Sequence, residues 1–146
     1  MNKKALFLLF LLIFLISCKP KQNQVCFEQN CFNVELAVTE EEQNKGLSDR
    51  GFLEQDKGML YIFENESIYK FWMKDMLIPI DIVWVDSNFT VVDMMKNARP
   101  CNGPVCLEIV PEKEAKYVLE FSNGTSEKIN LTLDSKFLFK LNNITI

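Results

Sequence analysis

Seven runs of five to eight residues, rich in β-branched and aromatic side chains, are each cut off by polar or Gly/Pro-bearing joints: residues 31–38, 58–63, 68–73, 80–85, 89–95, 117–121 and 137–141. Runs this short and this apolar suit strands, since helices need longer periodic stretches. In residues 31–38, Phe32, Val34, Leu36 and Val38 alternate with smaller or polar side chains, and Ala37 is the one apolar residue on the opposite face. Asp86-Ser87-Asn88 reads as a hairpin turn. One helix start is clear: Thr39 with Glu42 three residues later forms a capping box, acids crowd the first turn, and Gly46 can close it before a second irregular turn begins at Leu47. The pattern predicts a mainly β fold, a β-sandwich or half-barrel of about seven short strands with one or two short helices, rather than an alternating βαβ chain.

The 146 residues accommodate one domain and are too short for two comfortable ones. Lys3 and Lys4 precede an apolar stretch over residues 5–16, shorter than the roughly 20 residues of a spanning helix, so residues 1–17 read as a signal peptide. Its end, Leu15-Ile16-Ser17-Cys18, resembles a lipobox, which predicts a lipidated Cys18 as the mature N-terminus; the other reading is an ordinary secretory signal with an incidental cysteine. Diacylation, with a further acyl chain such as palmitate on the amine, meets the multi-chain requirement for stable anchoring. Residues 18–30 then form the lipidated cysteine and a short polar linker, and residues 31–146 a single β-rich domain. The expected location is extracytoplasmic, on a membrane reached through the lipid on Cys18.

Loss of residues 1–17 removes two lysines and no acid, leaving 14 bases against 20 acids. Such a chain is a poor match for nucleic acid. It contains no histidine, which closes Ser–His hydrolase and His-ligated zinc mechanisms. With Cys18 assigned to lipid, Cys26, Cys31, Cys101 and Cys106 form two Cys-x4-Cys pairs. In an exported protein two local disulfides, Cys26–Cys31 and Cys101–Cys106, lead, although four cysteines permit three connectivities. A four-cysteine zinc site and a redox-active Cys101–Cys106 pair are the rivals; no metal or cofactor is expected. Asn-x-Ser/Thr at Asn65, Asn88, Asn123, Asn130 and Asn143 reads either as glycosylation acceptors or as ordinary turn residues.

The blocks Glu41-Glu42-Gln43-Asn44-Lys45-Gly46-Leu47, Gly58-Met59-Leu60-Tyr61-Ile62-Phe63, Phe71-Trp72-Met73-Lys74-Asp75-Met76-Leu77-Ile78-Pro79-Ile80-Asp81-Ile82, Ala98-Arg99-Pro100-Cys101 with Cys106, and Tyr117-Val118-Leu119-Glu120 resemble the Domain of Unknown Function 192 family, over about residues 34–141. The resemblance implies a compact, mainly β domain, often exported, without an assigned activity. The chain departs from the family pattern at Gln43, where Arg is usual, at Ser48, where Met is usual, and at Asp134, where Gly is usual.

Charges inside the apolar central block raise the functional question. On a strand Ile80, Ile82 and Trp84 share one face, and Asp81 shares the other with Val83 and Val85. A carboxylate on such a face needs a partner, and Lys74 or Arg99 are the cationic candidates. If residues 68–79 stay extended, Trp72 and Lys74 share a face, with Phe71, Met73 and Asp75 opposite. Trp72 beside Lys74 suits the rim of a pocket, and equally a core position for Trp72. Met59, Met73, Met76, Met94 and Met95 invite a copper(I) reading but follow the spacing of core filler. Two functions remain open. One is a binding or accessory module of the cell envelope, with Trp72, Lys74, Asp75, Asp81 and Arg99 around a pocket for a small molecule, a glycan or another envelope protein. The other is a small enzyme using Asp75 and Asp81 as acid and base, which needs the two carboxylates about 5 to 10 Å apart across an open cleft.

Overall fold

The computed structural model describes residues 22–101 and 103–142, so the expected signal peptide, the lipobox-like segment with Cys18 and the Asn143 sequon lie outside the described residues. In chain order the elements are β1 (Gln24–Phe27), β2 (Asn30–Ala37), α1 (Glu40–Lys45), β3 (Lys57–Ser67), β4 (Ile80–Val85), β5 (Val91–Ala98), β6 (Ala115–Ser122), α2 (Thr125–Lys128) and β7 (Leu138–Lys140). The strands form one mixed sheet in the order β5-β4-β6-β3-β2-β1-β7, curled into a half-barrel. The β2–β3 pair is parallel, and α1 lies in the crossover between them. Thr90 bridges Lys136, and Phe137 N–H donates to Phe89 O at 2.9 Å just ahead of β7. The chain that leads into one edge strand is thereby pinned beside the start of the other, which holds the curl.

All six residues of β4 are buried, because β5 and β6 flank it and both faces of the sheet are covered. Burial on both faces makes a strand read as a continuous apolar run. The expected split of faces holds: Val83 and Val85 pack inside the curl with Leu60, Leu119, Phe121 and Phe137, while Ile80, Ile82 and Trp84 pack outside it with Met59, Tyr61 and Val118. The capping box of α1 also forms, with Glu42 N–H donating to Thr39 Oγ1 and Thr39 N–H to Glu42 Oε2. At the 86–89 turn Asp86 Oδ1 accepts from Asn88 N–H and Thr90 N–H, and Phe89 takes φ 62°. That turn delays β5 to Val91, two residues beyond the expected start.

Two expectations are corrected. Residues 68–73 do not form a strand; Phe71 alone bridges Ile109. The backbone groups nearby go elsewhere: Tyr69 O accepts from Trp84 Nε1 at 2.8 Å, Met73 O accepts from Cys101 N–H, and Asp75 adopts φ 58°. Residues 68–79 instead cross the outer face of the sheet as an irregular strap that buries Met73 and Met76. Conversely, β1 lies within residues 18–30, read as linker, and pairs with both β2 and β7, so the sheet begins before Cys31.

Both disulfides, Cys26–Cys31 and Cys101–Cys106, are formed. With all four sulfurs committed, the tetrathiolate zinc alternative has no ligands. The five methionines do not converge as one set: Met59, Met73 and Met76 pack outside the curl, Met94 packs on the opposite cluster, and Met95 is exposed. Among the described residues no helix is long and apolar enough to cross a membrane.

Candidate functional site

Asp81 is 1% exposed, as its apolar neighbours imply, but its partner is not a cation. Opposite it, β5 carries two residues, Lys96 and Asn97, between the registered pairs Ile80–Ala98 and Ile82–Met95. This bulge puts Asn97 at φ 54° and frees its N–H, which donates to Asp81 Oδ1 at 2.9 Å. Ser126 N–H, in the first turn of α2, donates to Oδ2 at 2.9 Å. Two amides therefore satisfy both oxygens, which corrects the expected ion pair. Lys74 and Arg99 are exposed, and the ion pairs among the described residues join Arg50 to Glu35, Lys57 to Glu54 and Lys70 to Glu108.

The strap brings Trp72, Lys74 and Asp75 together. They line a hollow of about 260 Å³ with Cys101, Cys106, Gly103 and Pro104. Asp81 and Arg99 do not line it. Asp75 is exposed whereas Asp81 is buried against two amides, so the two carboxylates do not share a cleft and the acid–base pair lacks its geometry.

A second hollow, of about 180 Å³, opens on the other side of Trp72, between the C-terminal end of α1 and the strap. Its floor is a pair that the sequence did not single out. On the outer face of the sheet Met59 lies opposite Glu120 and Tyr61 opposite Val118, which makes Tyr61 and Glu120 diagonal neighbours across β3 and β6. Tyr61 Oη donates to Glu120 Oε2 at 2.8 Å. Glu120 is 4% exposed, and that burial pushes its carboxyl up to about 7, although the Tyr61 hydrogen bond and the Arg50 charge both pull it down. Burial, with the Glu120 charge next, raises the Tyr61 hydroxyl well above its ordinary value, so it stays protonated and keeps donating. Among the described residues Glu120 Oε1 accepts no hydrogen bond.

Local chain geometry builds the walls. Gly46 closes α1 at φ 47°, and a β-carbon there would collide with the Tyr61 hydroxyl, so only glycine lets this turn rest on the tyrosine. Gln43 donates from Nε2 to Ile62 O at 3.1 Å and, at 3.4 Å each, to Ala37 O and Val38 O, tying α1 to the sheet. Phe63 and Tyr69 stack with ring centroids 3.5 Å apart, and Phe71 meets Tyr61 edge-on at 4.9 Å. Trp72 is 52% exposed, which makes it a rim residue of both hollows rather than core. One signal for this site was present in the sequence: Glu120 is the single acid in the run Tyr117-Val118-Leu119-Glu120-Phe121, on the face it shares with Val118.

A family model described as "Uncharacterized ACR" matches residues 23–139. Two crystal structures share the fold, each with a TM-score of 0.70. One, described as a candidate transcription regulator from Sinorhizobium meliloti 1021, is 24% identical, covering 81% of this chain and 92% of that one. The other, a protein of unknown function from Novosphingobium aromaticivorans DSM 12444, is 28% identical, covering 80% of this chain and 83% of that one. No curated protein matches the chain.

Proposed function

The chain belongs to the Domain of Unknown Function 192 family, and from that premise we propose that it is an exported, lipid-tethered binding module of the cell envelope whose ligand site is the aromatic cleft over Tyr61 and Glu120. The observation that carries this reading is the cleft itself: Phe63, Tyr69, Phe71 and Trp72 offer apolar area around a single buried acid with an unused oxygen. A concave site that sets apolar side chains beside converging polar groups is the usual form of a small-ligand pocket. The second hollow, with Lys74 and Asp75, continues the surface beyond Trp72 and gives a larger ligand, such as a glycan or a loop of another envelope protein, a place to extend.

The two disulfides support an oxidising, extracytoplasmic compartment, and the lipobox-like end of the leader supports the tether. The description of the Sinorhizobium meliloti protein as a regulator finds no support here, because the acidic balance of this chain opposes a polyanion. Both halves of the proposal are open to test. Acyl-chain labelling should give incorporation that disappears in Cys18→Ser, and labelling that does not depend on Cys18 removes the tether. Screening small molecules and envelope extract by NMR should shift resonances of Gly46, Tyr61 and Phe71; a screen in which nothing moves them removes the cleft as a binding site.

A further inference from the structure

Resting on the reading of that cleft as the binding site, we infer that its ligand class is a small organic cation, a protonated amine or quaternary ammonium group held between aromatic rings and the free oxygen of Glu120. Aromatic ring faces carry negative charge density and attract such cations, most strongly when water is excluded. Four of the lining side chains are aromatic at the walls and rim, and a fifth, Tyr61, forms the floor. A carboxylate sits among them without a counter-ion, since none of the ion pairs among the described residues includes Glu120.

That absence is the unusual feature. A charge taken out of water ordinarily comes with a partner, and losing the partner is strongly destabilising. Here Tyr61 supplies one hydrogen bond and the second oxygen is left open. The nearest guanidinium whose charge acts on the carboxylate, Arg50, is held by both of its terminal nitrogens on Glu35, at 2.6 and 2.7 Å. Two lysines also line the cleft. Lys70 is engaged by Glu108 at 2.9 Å, and Lys45 is exposed, where water and salt screen it. An entering cation supplies a counter-charge to a carboxyl that burial otherwise disfavours in its ionised form. An anionic ligand would instead bring a like charge up to Glu120, which selects against it.

The same chemistry can arrive as a free small molecule or as a lysine side chain of another protein, and three probes separate these. They are choline, its neutral isostere with tert-butyl in place of trimethylammonium, and a capped lysine peptide. Each is titrated by NMR into the oxidised protein at about pH 8, above the Glu120 value, so that the carboxylate is ionised. The expected result is that choline or the lysine peptide shifts Gly46, Tyr61 and the Trp72 indole with at least tenfold higher affinity than the isostere. The tighter of the two identifies the source. Glu120→Gln, which keeps an acceptor for Tyr61, should abolish the preference for charge. Trp72→Leu, at an exposed position that leaves the core intact, should weaken cation binding at least threefold. Equal affinity for choline and its isostere, or a preference that survives Glu120→Gln, overturns the cation class while leaving the cleft a binding site. If neither cation binds but other compounds from the screen shift the same resonances, the class is wrong and the site stands; if nothing shifts them, both fall.

Discussion

Tyr61 and Glu120 are diagonal neighbours on β3 and β6, and the phenol donates a 2.8 Å hydrogen bond to a carboxylate that no cation of the described chain pairs. Tyr61→Phe removes that donor and leaves the buried carboxyl without its one protein hydrogen bond, which should cost roughly 1 to 3 kcal/mol. The loss should be larger near pH 8, where Glu120 is ionised, than near pH 5. Denaturant midpoints at the two pH values check this, and equal losses at both would show that the hydroxyl does not serve the charged form.

The pKa of Glu120 makes a signed prediction for stability. In the unfolded chain the group titrates near 4.5 and in the fold near 7, so between these values the folded state binds the extra proton. Its contribution to stability is fully present below about pH 4.5 and is lost as pH rises through about 7, by on the order of 3 kcal/mol. The groups that act on it are Tyr61 and Arg50; the Glu35 partner of Arg50 is shifted downward and titrates below this window. Unfolding free energies of the wild type should fall between pH 5 and pH 8, and Glu120→Gln should flatten the slope.

Asp81→Ala should cost roughly 3 to 5 kcal/mol, because it strands the Asn97 and Ser126 amides, each of which donates to a charged group. Lys74→Ala should cost almost nothing, and the double variant should be additive, since the exposed lysine makes no ion pair among the described residues. Coupling above about 1 kcal/mol between the two would restore the ion pair that the geometry replaces with backbone amides.

Gly46→Ala should destabilise by more than the roughly 1 kcal/mol of an unfavourable positive φ, because its methyl meets the Tyr61 hydroxyl. The clash is with one oxygen atom, so Tyr61→Phe should recover part of the loss. A double-variant cycle that shows no recovery would place the cost in the backbone alone.

What could be read from the sequence was local. The faces of β4, the Thr39–Glu42 cap, the Asp86 turn and both disulfides depend on neighbours within a few residues, and each forms as expected. The strap at residues 68–79 was misread because its apolar residues do pack against the sheet, but as a layer over it, while its carbonyls serve Trp84 and Cys101. Asp81 was correctly placed in a dry environment and given the wrong kind of partner: a bulge two strands' worth of sequence away supplies an amide that no pattern of side chains announces. Tyr61 and Glu120 are 59 residues apart and become neighbours only through the strand order, so the site was the least legible part of the molecule.

That strand order has a consequence for biogenesis. β6 is inserted between β4 and β3, so the β4–β5 hairpin and the β1–β2–β3 unit have no shared strand edge until residues 115–122 are available. Until then two apolar edges stand open, the condition under which chains associate wrongly and under which distant pairings delay folding. A nascent chain therefore gains by remaining unfolded until most of it has been made. The floor of the cleft, with one residue from each side of that last join, exists only in a molecule that has completed it.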